Sequence, residues 1–387
     1  MRYDGSAMLN LSRRLLSAAT LARWLGPWTP ADATPGGVTV STRALPSGLR
    51  VRRWAPRGRA HGGLLLIPGL HYDGPADHRM DRLARVLARA GALVVSPFIR
   101  DFLQLRLTPR VITDAHEALE ALLDEPTMRR RQVGVFSVSF GSLPALHVAA
   151  RAPRRDRVAG VALFGGYADF DETVRFAMTG EAPGAASLRA DPLNRPVVYL
   201  NLLSHLTADP SARERLAAAW LAFCRATWGR EEMKRGGAHL EAARAVADAH
   251  GLRGDALRLF LAGVGGETFD RGEIERALEA GREDLAYLDP RPLLTDVLAP
   301  VHALHGADDD VIPATHAPRL ADAARSGRSY ITGLYGHTGG SRGPLSRAPA
   351  AARELVTMAR MLDAIAGLIH PAPTRGPSGP RKRWRQP

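Results

Sequence analysis

Short apolar runs alternating with amphipathic helical stretches predict a doubly wound α/β fold built on a mostly parallel sheet. Two further observations sharpen this. Between Tyr167 and about Pro300 the strand signal stops and only helical patterns recur, which predicts a helical insertion. The side chains Ser139, Asp309 and His337 each follow the end of an apolar run, and parallel sheets gather their sites at the carboxyl ends of their strands.

Leu11, Leu15, Ala18, Ala19, Ala22 and Leu25 fall on one helical face, with Arg13, Arg14 and Arg23 elsewhere. This predicts a short amphipathic helix that packs on the core or lies on a membrane surface. Ser12-Arg13-Arg14 also resembles a twin-arginine export signal, but the apolar stretch from Leu15 to Ala22 is short and Arg23 interrupts it. No stretch reaches the roughly twenty apolar residues of a spanning helix, so a cytoplasmic protein, at most peripheral to a membrane, is expected.

Strands are predicted at Val38 to Leu45, Leu49 to Trp54 and Gly63 to Ile67. A helix follows from Asp77 to Ala90, with Met80, Leu83, Ala84 and Leu87 on one face and Gly91 as its stop. Ala92 to Pro97 is the next buried strand. Thr108 as N-cap and Pro109 at the first position open another helix, with Ile112, Leu119, Leu122 and Leu123 inward. Val133 to Ser137 and Val158 to Phe164 read as buried strands.

In the insertion, Ser211 to Glu214 forms a capping box, and Leu216, Trp220, Phe223 and Thr227 share the following helical face. Helical stretches cover His239 to His250 and Ala256 to Ala262, and another starts at Asp270 with Glu273 at its box position. Standing over the carboxyl edge of the sheet, this block would act as a lid that excludes water. Leu200, Leu202, Leu203 and Leu206 belong to its interior or line an apolar cavity. Pro300 to Gly306 and Ser329 to Thr332 are the last strands.

Composition restricts the chemistry. One core plus an insertion is plausible for 387 residues, and 45% hydrophobic residues argue against extensive disorder. Cys224 is the only cysteine, so no intrachain disulfide forms. The thirteen histidines lack zinc-site spacing, and no metal or cofactor is expected. Net charge is +13, with Lys234 and Lys382 the only lysines. The Pro-, Gly- and Arg-rich end, residues 371–387, carries Arg375, Arg381, Lys382, Arg383 and Arg385 without acids and reads as a solvated, disordered tail. A basic tail with Trp384 could touch nucleic acid or an anionic membrane, but no nucleic-acid partner is expected.

The chemistry rests on Val133 to Ser142, where an apolar strand ends in a tight turn tipped by Ser139. Ser137 and Gly141, two positions either side, are small, as a closely approaching strand and helix demand. A hydroxyl is a poor nucleophile near neutral pH and needs a base, itself oriented by a third group. Downstream, His305-Gly306 is followed by Asp308-Asp309-Asp310 and Ile312-Pro313, and Gly336-His337 follows the last strand.

With these segments, and with the strand-to-turn run Leu64 to His71, the chain resembles the α/β-hydrolase superfamily over about residues 36 to 370. The resemblance implies a nucleophile elbow at Ser139 with its Oγ exposed, and a Ser, Asp, His order. Spacing from Gly306 selects Asp309, with Asp308, Asp310 and Asp169 as alternatives. His337 is the base, while His316 belongs to a helix after Pro313 and His305 is buried and hydrogen-bonded beside the site. It further implies an oxyanion hole from the N–H groups of Phe140 and Leu70, with His71 as the alternative to Leu70. The expected organisation is an N-terminal helix and linker (1–35), a core (36–169 and 297–370), a helical lid (170–296) and the tail. The expected activity is hydrolysis of a small, partly apolar carboxylic ester or related acyl substrate through an acyl-enzyme. An acyltransferase, or an idle scaffold docking through basic termini, is the alternative.

Overall fold

The computed structural model describes residues 5–184, 188, 190–268, 270–333, 335, 336, 339, 340 and 348–371. Eight strands form one sheet: β1 (Val38–Ala44), β2 (Arg50–Pro56), β3 (Gly62–Ile67), β4 (Ala92–Pro97), β5 (Val133–Val138), β6 (Val158–Phe164), β7 (Val301–Gly306) and β8 (Gly327–Thr332). Their order is β1-β2-β4-β3-β5-β6-β7-β8. β2 pairs antiparallel with both β1 and β4, and every neighbour from β4 to β8 is parallel.

The central strands are apolar on both faces because helices cover both. Leu64 and Leu66 of β3 join one buried cluster, whereas Leu65 and Ile67 join the other. All four are fully buried, worth about 1.5–3 kcal/mol each relative to exposure. The first cluster is closed by α1 (Gly5–Leu25), α2 (His78–Arg89) and α13 (Ala348–Ile369). The second is closed by α3 (Arg110–Leu123), α4 (Ser142–Arg151), α11 (Arg291–Leu294) and α12 (His316–Ala323).

Between β6 and β7 the described residues hold helices alone: α5 (Phe170–Thr179), α6 (Arg195–Leu206), α7 (Pro210–Thr227), α8 (Ala238–Ala249), α9 (Gly254–Val264), α10 (Arg271–Ala280), short 3₁₀ turns and α11. Leu216, Trp220, Phe223 and Thr227 are fully buried along α7. Leu200, Leu202 and Leu203 pack into the same core. The insertion shares its apolar core with the second face of the sheet.

Three local expectations are corrected. α7 starts at Pro210, and its N-cap is Asp209, whose Oδ1 accepts from the Ser211 N–H at 2.9 Å. The Asp-Pro pair thus overrides the capping box read at Ser211. α3 starts at Arg110 with Pro109 as its N-cap, and Thr108, the expected cap, lies one residue outside with Oγ1 accepting from the Arg110 N–H. On α1 only half of the predicted apolar stripe packs: Ala18, Ala22 and Leu25 lie against the core. Leu11, Leu15 and Ala19 are exposed, and Ser17 and Leu21 are buried instead.

Candidate active site

β5 delivers Ser139 to its carboxyl end, where a single 3₁₀ turn leads into α4. Ser139 has φ 53°, one of two non-glycine residues among those described with a left-handed backbone. Such a conformation costs about 1–3 kcal/mol and persists only where its surroundings enforce it. The enforcement is visible at Gly141, where an added Cβ would lie 2.4 Å from the Pro68 carbonyl oxygen. At Gly69 an added Cβ would meet Ser139 Cβ at 3.4 Å. Ser137 is fully buried, with Oγ donating to the Ala162 carbonyl at 3.5 Å.

Ser139 as a whole residue is only 6% exposed. Ser139 lines a cavity of about 290 Å³ to which the insertion also contributes. From the core, Gly69, Leu70, His71 and Phe140 line this cavity, and from the insertion come Phe170, Val174, Leu193 and Val198. Asp191, Arg230, Glu231 and Lys234 supply charge at one part of the wall. Among the described residues no acceptor meets the Leu70 N–H.

Of the three consecutive acids after β7, Asp308 is exposed, Asp310 is half-buried, and Asp309 is 1% exposed. Asp309 Oδ1 accepts from the N–H groups of Val311 and Ile312, both at 2.9 Å. Its Oδ2 lies 3.1 Å from His305 Nε2. That nitrogen also lies 2.7 Å from the Ile312 carbonyl, which can only accept, so it carries the proton. His305 was expected to be buried and bonded beside the site, and it is. Asp169 serves elsewhere: it caps α5, accepting from the Glu172 N–H at 3.0 Å, and lies 3.6 Å from Arg319.

His71, His78 and His316 are the described histidines weighed against His337. His71 Nδ1 accepts from the Asp73 N–H at 3.1 Å, leaving Nε2 to carry the proton, 3.6 Å from Asp77 Oδ2. Burial outweighs the nearby acids and lowers its pKa. His316 begins α12, as expected, with Nδ1 accepting from the Ala168 N–H at 2.9 Å. Burial, with Arg319 and His305 nearby, pushes its pKa down to about 4. His78 also lines the cavity, but its side chain is 80% exposed. His337 lies outside the described residues, as do residues 372–387 of the tail.

Two features of the cavity escaped the sequence reading. Lys234 joins the insertion to the acidic turn, with Nζ 2.9 Å from Asp191 Oδ2 and 3.7 Å from Asp310 Oδ2. Asn201 of α6 donates to the Leu105 carbonyl at 2.9 Å and accepts from the Leu107 N–H at 2.6 Å. Neither pair has a short-range spacing that would reveal it, although Lys234 is unusual in a chain that otherwise uses arginine.

The mostly parallel eight-stranded sheet, with β2 antiparallel at one side and helices on both faces, matches the expected fold class. The chain has the α/β-hydrolase fold. No protein-family model matches the chain, and comparison with curated proteins finds no match. Solved structures similar to this chain include a bacterial membrane phospholipase A described as a virulence factor. It is 17% identical, with TM-score 0.43, over 96% of this chain and 94% of that one. A serine hydrolase from Cycloclasticus zankles is 16% identical, with TM-score 0.41, over 84% of this chain and 98% of that one. The 2-hydroxy-6-oxo-6-phenylhexa-2,4-dienoate hydrolase of Rhodococcus sp. strain RHA1 is 15% identical, with TM-score 0.40, over 84% and 99%.

Proposed function

We propose that the protein is a serine hydrolase that cleaves a carboxylic ester, or a related acyl bond, through an acyl-enzyme. The observation that carries this reading is the left-handed Ser139, buried at the end of β5 and open to the cavity. A conformation that costs free energy at the tip of a cavity-lining turn is what a nucleophile elbow requires.

In the first step Ser139 Oγ attacks the carbonyl carbon while His337 takes its proton. Asp309 orients the imidazole and stabilises its charged form, and the Val311, Ile312 and His305 contacts fix that carboxylate. The backbone N–H groups of Leu70 and Phe140 meet the negative oxygen, one such donor typically being worth about 3 kcal/mol. His337 passes its proton to the leaving group, and water repeats the sequence to release the acid. His337 is favoured as base because His71 Nδ1 already accepts from the Asp73 N–H and His78 is exposed.

The cavity's apolar lining and its size, near the small end of the roughly 300–1,000 Å³ usual for ligand pockets, favour a short or medium apolar acyl group. Rates on nitrophenyl esters of graded acyl length test this. Turnover should peak at short to medium chains and fall by about 10⁴-fold or more in Ser139→Ala. Full turnover by that variant would reject the reading.

A further inference from the structure

The exposed face of α1 needs an explanation. Met8, Leu9, Leu11, Leu15 and Leu16 are 60%, 52%, 58%, 59% and 69% exposed. At 3.6 residues per turn they share an arc of about 160°. Scattered surface leucines need no account, but five large apolar side chains on one helical face do. The opposite face is fixed to the body, so the helix cannot roll to hide them. Ser17 Oγ donates to the Ala90 carbonyl at 2.5 Å and meets His370 Nε2 at 2.8 Å. Arg14 holds the Asp363 carboxylate through two bonds, at 2.8 and 2.7 Å, and Leu21 is fully buried.

Charge selects the occupant. α1 carries Arg13, Arg14 and Arg23 and no acid, and Arg13 and Arg23 are exposed. A second copy seated face to face would bring these cations together with no carboxylate on either helix to offset them. An anionic lipid surface supplies both an apolar phase and negative charge. Exposed Trp28, just past the helix, suits the headgroup layer. Among the described residues no helix is long and apolar enough to cross a membrane.

We propose that α1 docks the protein on an anionic bilayer, lying in the interface with Met8, Leu9, Leu11, Leu15 and Leu16 in the acyl region. Asn10 Nδ2 donates to the Pro371 carbonyl at 3.3 Å, and Ser17 bonds to Ala90 just before β4. These contacts set the docking half of α1 at the amino ends of the strands, opposite Ser139. Docking therefore tethers the molecule without covering the cavity, and it is independent of any ester hydrolysis.

Vesicle sedimentation tests the proposal, using phosphatidylcholine alone and phosphatidylcholine mixed with phosphatidylglycerol. The wild type should pellet with the mixed vesicles. A triple variant, Leu11→Ser with Leu15→Ser and Leu16→Ser, should partition at least about tenfold more weakly, with unchanged circular dichroism. Arg13→Glu with Arg23→Glu should remove the preference for anionic vesicles and serves should the triple variant fold poorly. Three results would overturn the proposal: undiminished binding by both variants, as contact through residues 372–387 would give; no binding by the wild type; or dimers lost in the triple variant, with vesicles ignored.

Discussion

His305 Nε2 lies 3.1 Å from Asp309 Oδ2, with both side chains at or below 1% exposure. This N–H and the amides of Val311 and Ile312 surround the carboxylate with donors. An amide in its place would point an NH₂ group at a donor. Asp309→Asn is therefore expected to lower kcat by about 10³–10⁴-fold. It should also destabilise the fold by about 1–3 kcal/mol, read by urea denaturation. His305→Leu, which acts only through the carboxylate, should lower kcat less than Asp309→Asn does.

Backbone strain at Ser139 separates stability from activity. Glycine occupies φ 53° without the Cβ penalty. Ser139→Gly should be about as inactive as Ser139→Ala, yet more stable than that variant by about 1 kcal/mol. Thermal melts of the two variants measure the difference.

Close approach at Gly141 leaves no space for a methyl group, which would sit 2.4 Å from backbone at Pro68. Gly141→Ala should destabilise the protein by about 1–3 kcal/mol and reduce turnover by shifting the serine turn. An active variant of wild-type stability would show that the turn is looser than its geometry.

The Lys234 bridge couples the insertion to the residue beside Asp309. Lys234→Met leaves Asp191, which is 8% exposed, without its nearest cation. The expected outcome is a loss of about 1–3 kcal/mol with a several-fold fall in kcat/KM. Because Lys234 is partly exposed, salt should weaken the wild type toward the variant. Identical salt profiles would mean that the bridge does not hold the turn.

Buried histidines set the acid limit. Desolvation lowers His147, His316 and His370 from 6.5 to about 4. Because their folded values lie below their unfolded ones, the unfolded chain binds more protons between these limits. Stability is therefore full above about pH 6.5 and falls progressively toward pH 4. For His316 alone the slope is at most about 1.4 kcal/mol per pH unit. Denaturation midpoints across this window should fall with pH, and His316→Gln should flatten the decline.

Much of this architecture was legible because local signals agreed. Ala92–Pro97 and Val158–Phe164 match their predicted bounds, each being an unbroken apolar run closed by turn residues. The serine turn was legible from small residues at fixed positions around Ser139. Competing signals caused the misses. At α7 two caps lie within three residues, and Asp209 before Pro210 prevails. On α1 Ala18, Ala22 and Leu25 of the named face do pack, but the Ala90 carbonyl and His370 engage Ser17 and leave Leu11 and Leu15 exposed. Lys234 and Asp310 meet from distant parts of the chain, where no pattern in sequence links them.

Fluorophosphonate labelling followed by peptide mapping addresses the central claim most directly. The account predicts one modified residue, Ser139, with labelling slowed in Asp309→Asn and abolished in Ser139→Ala. Label on a different residue, or unchanged labelling of Ser139→Ala, would contradict it.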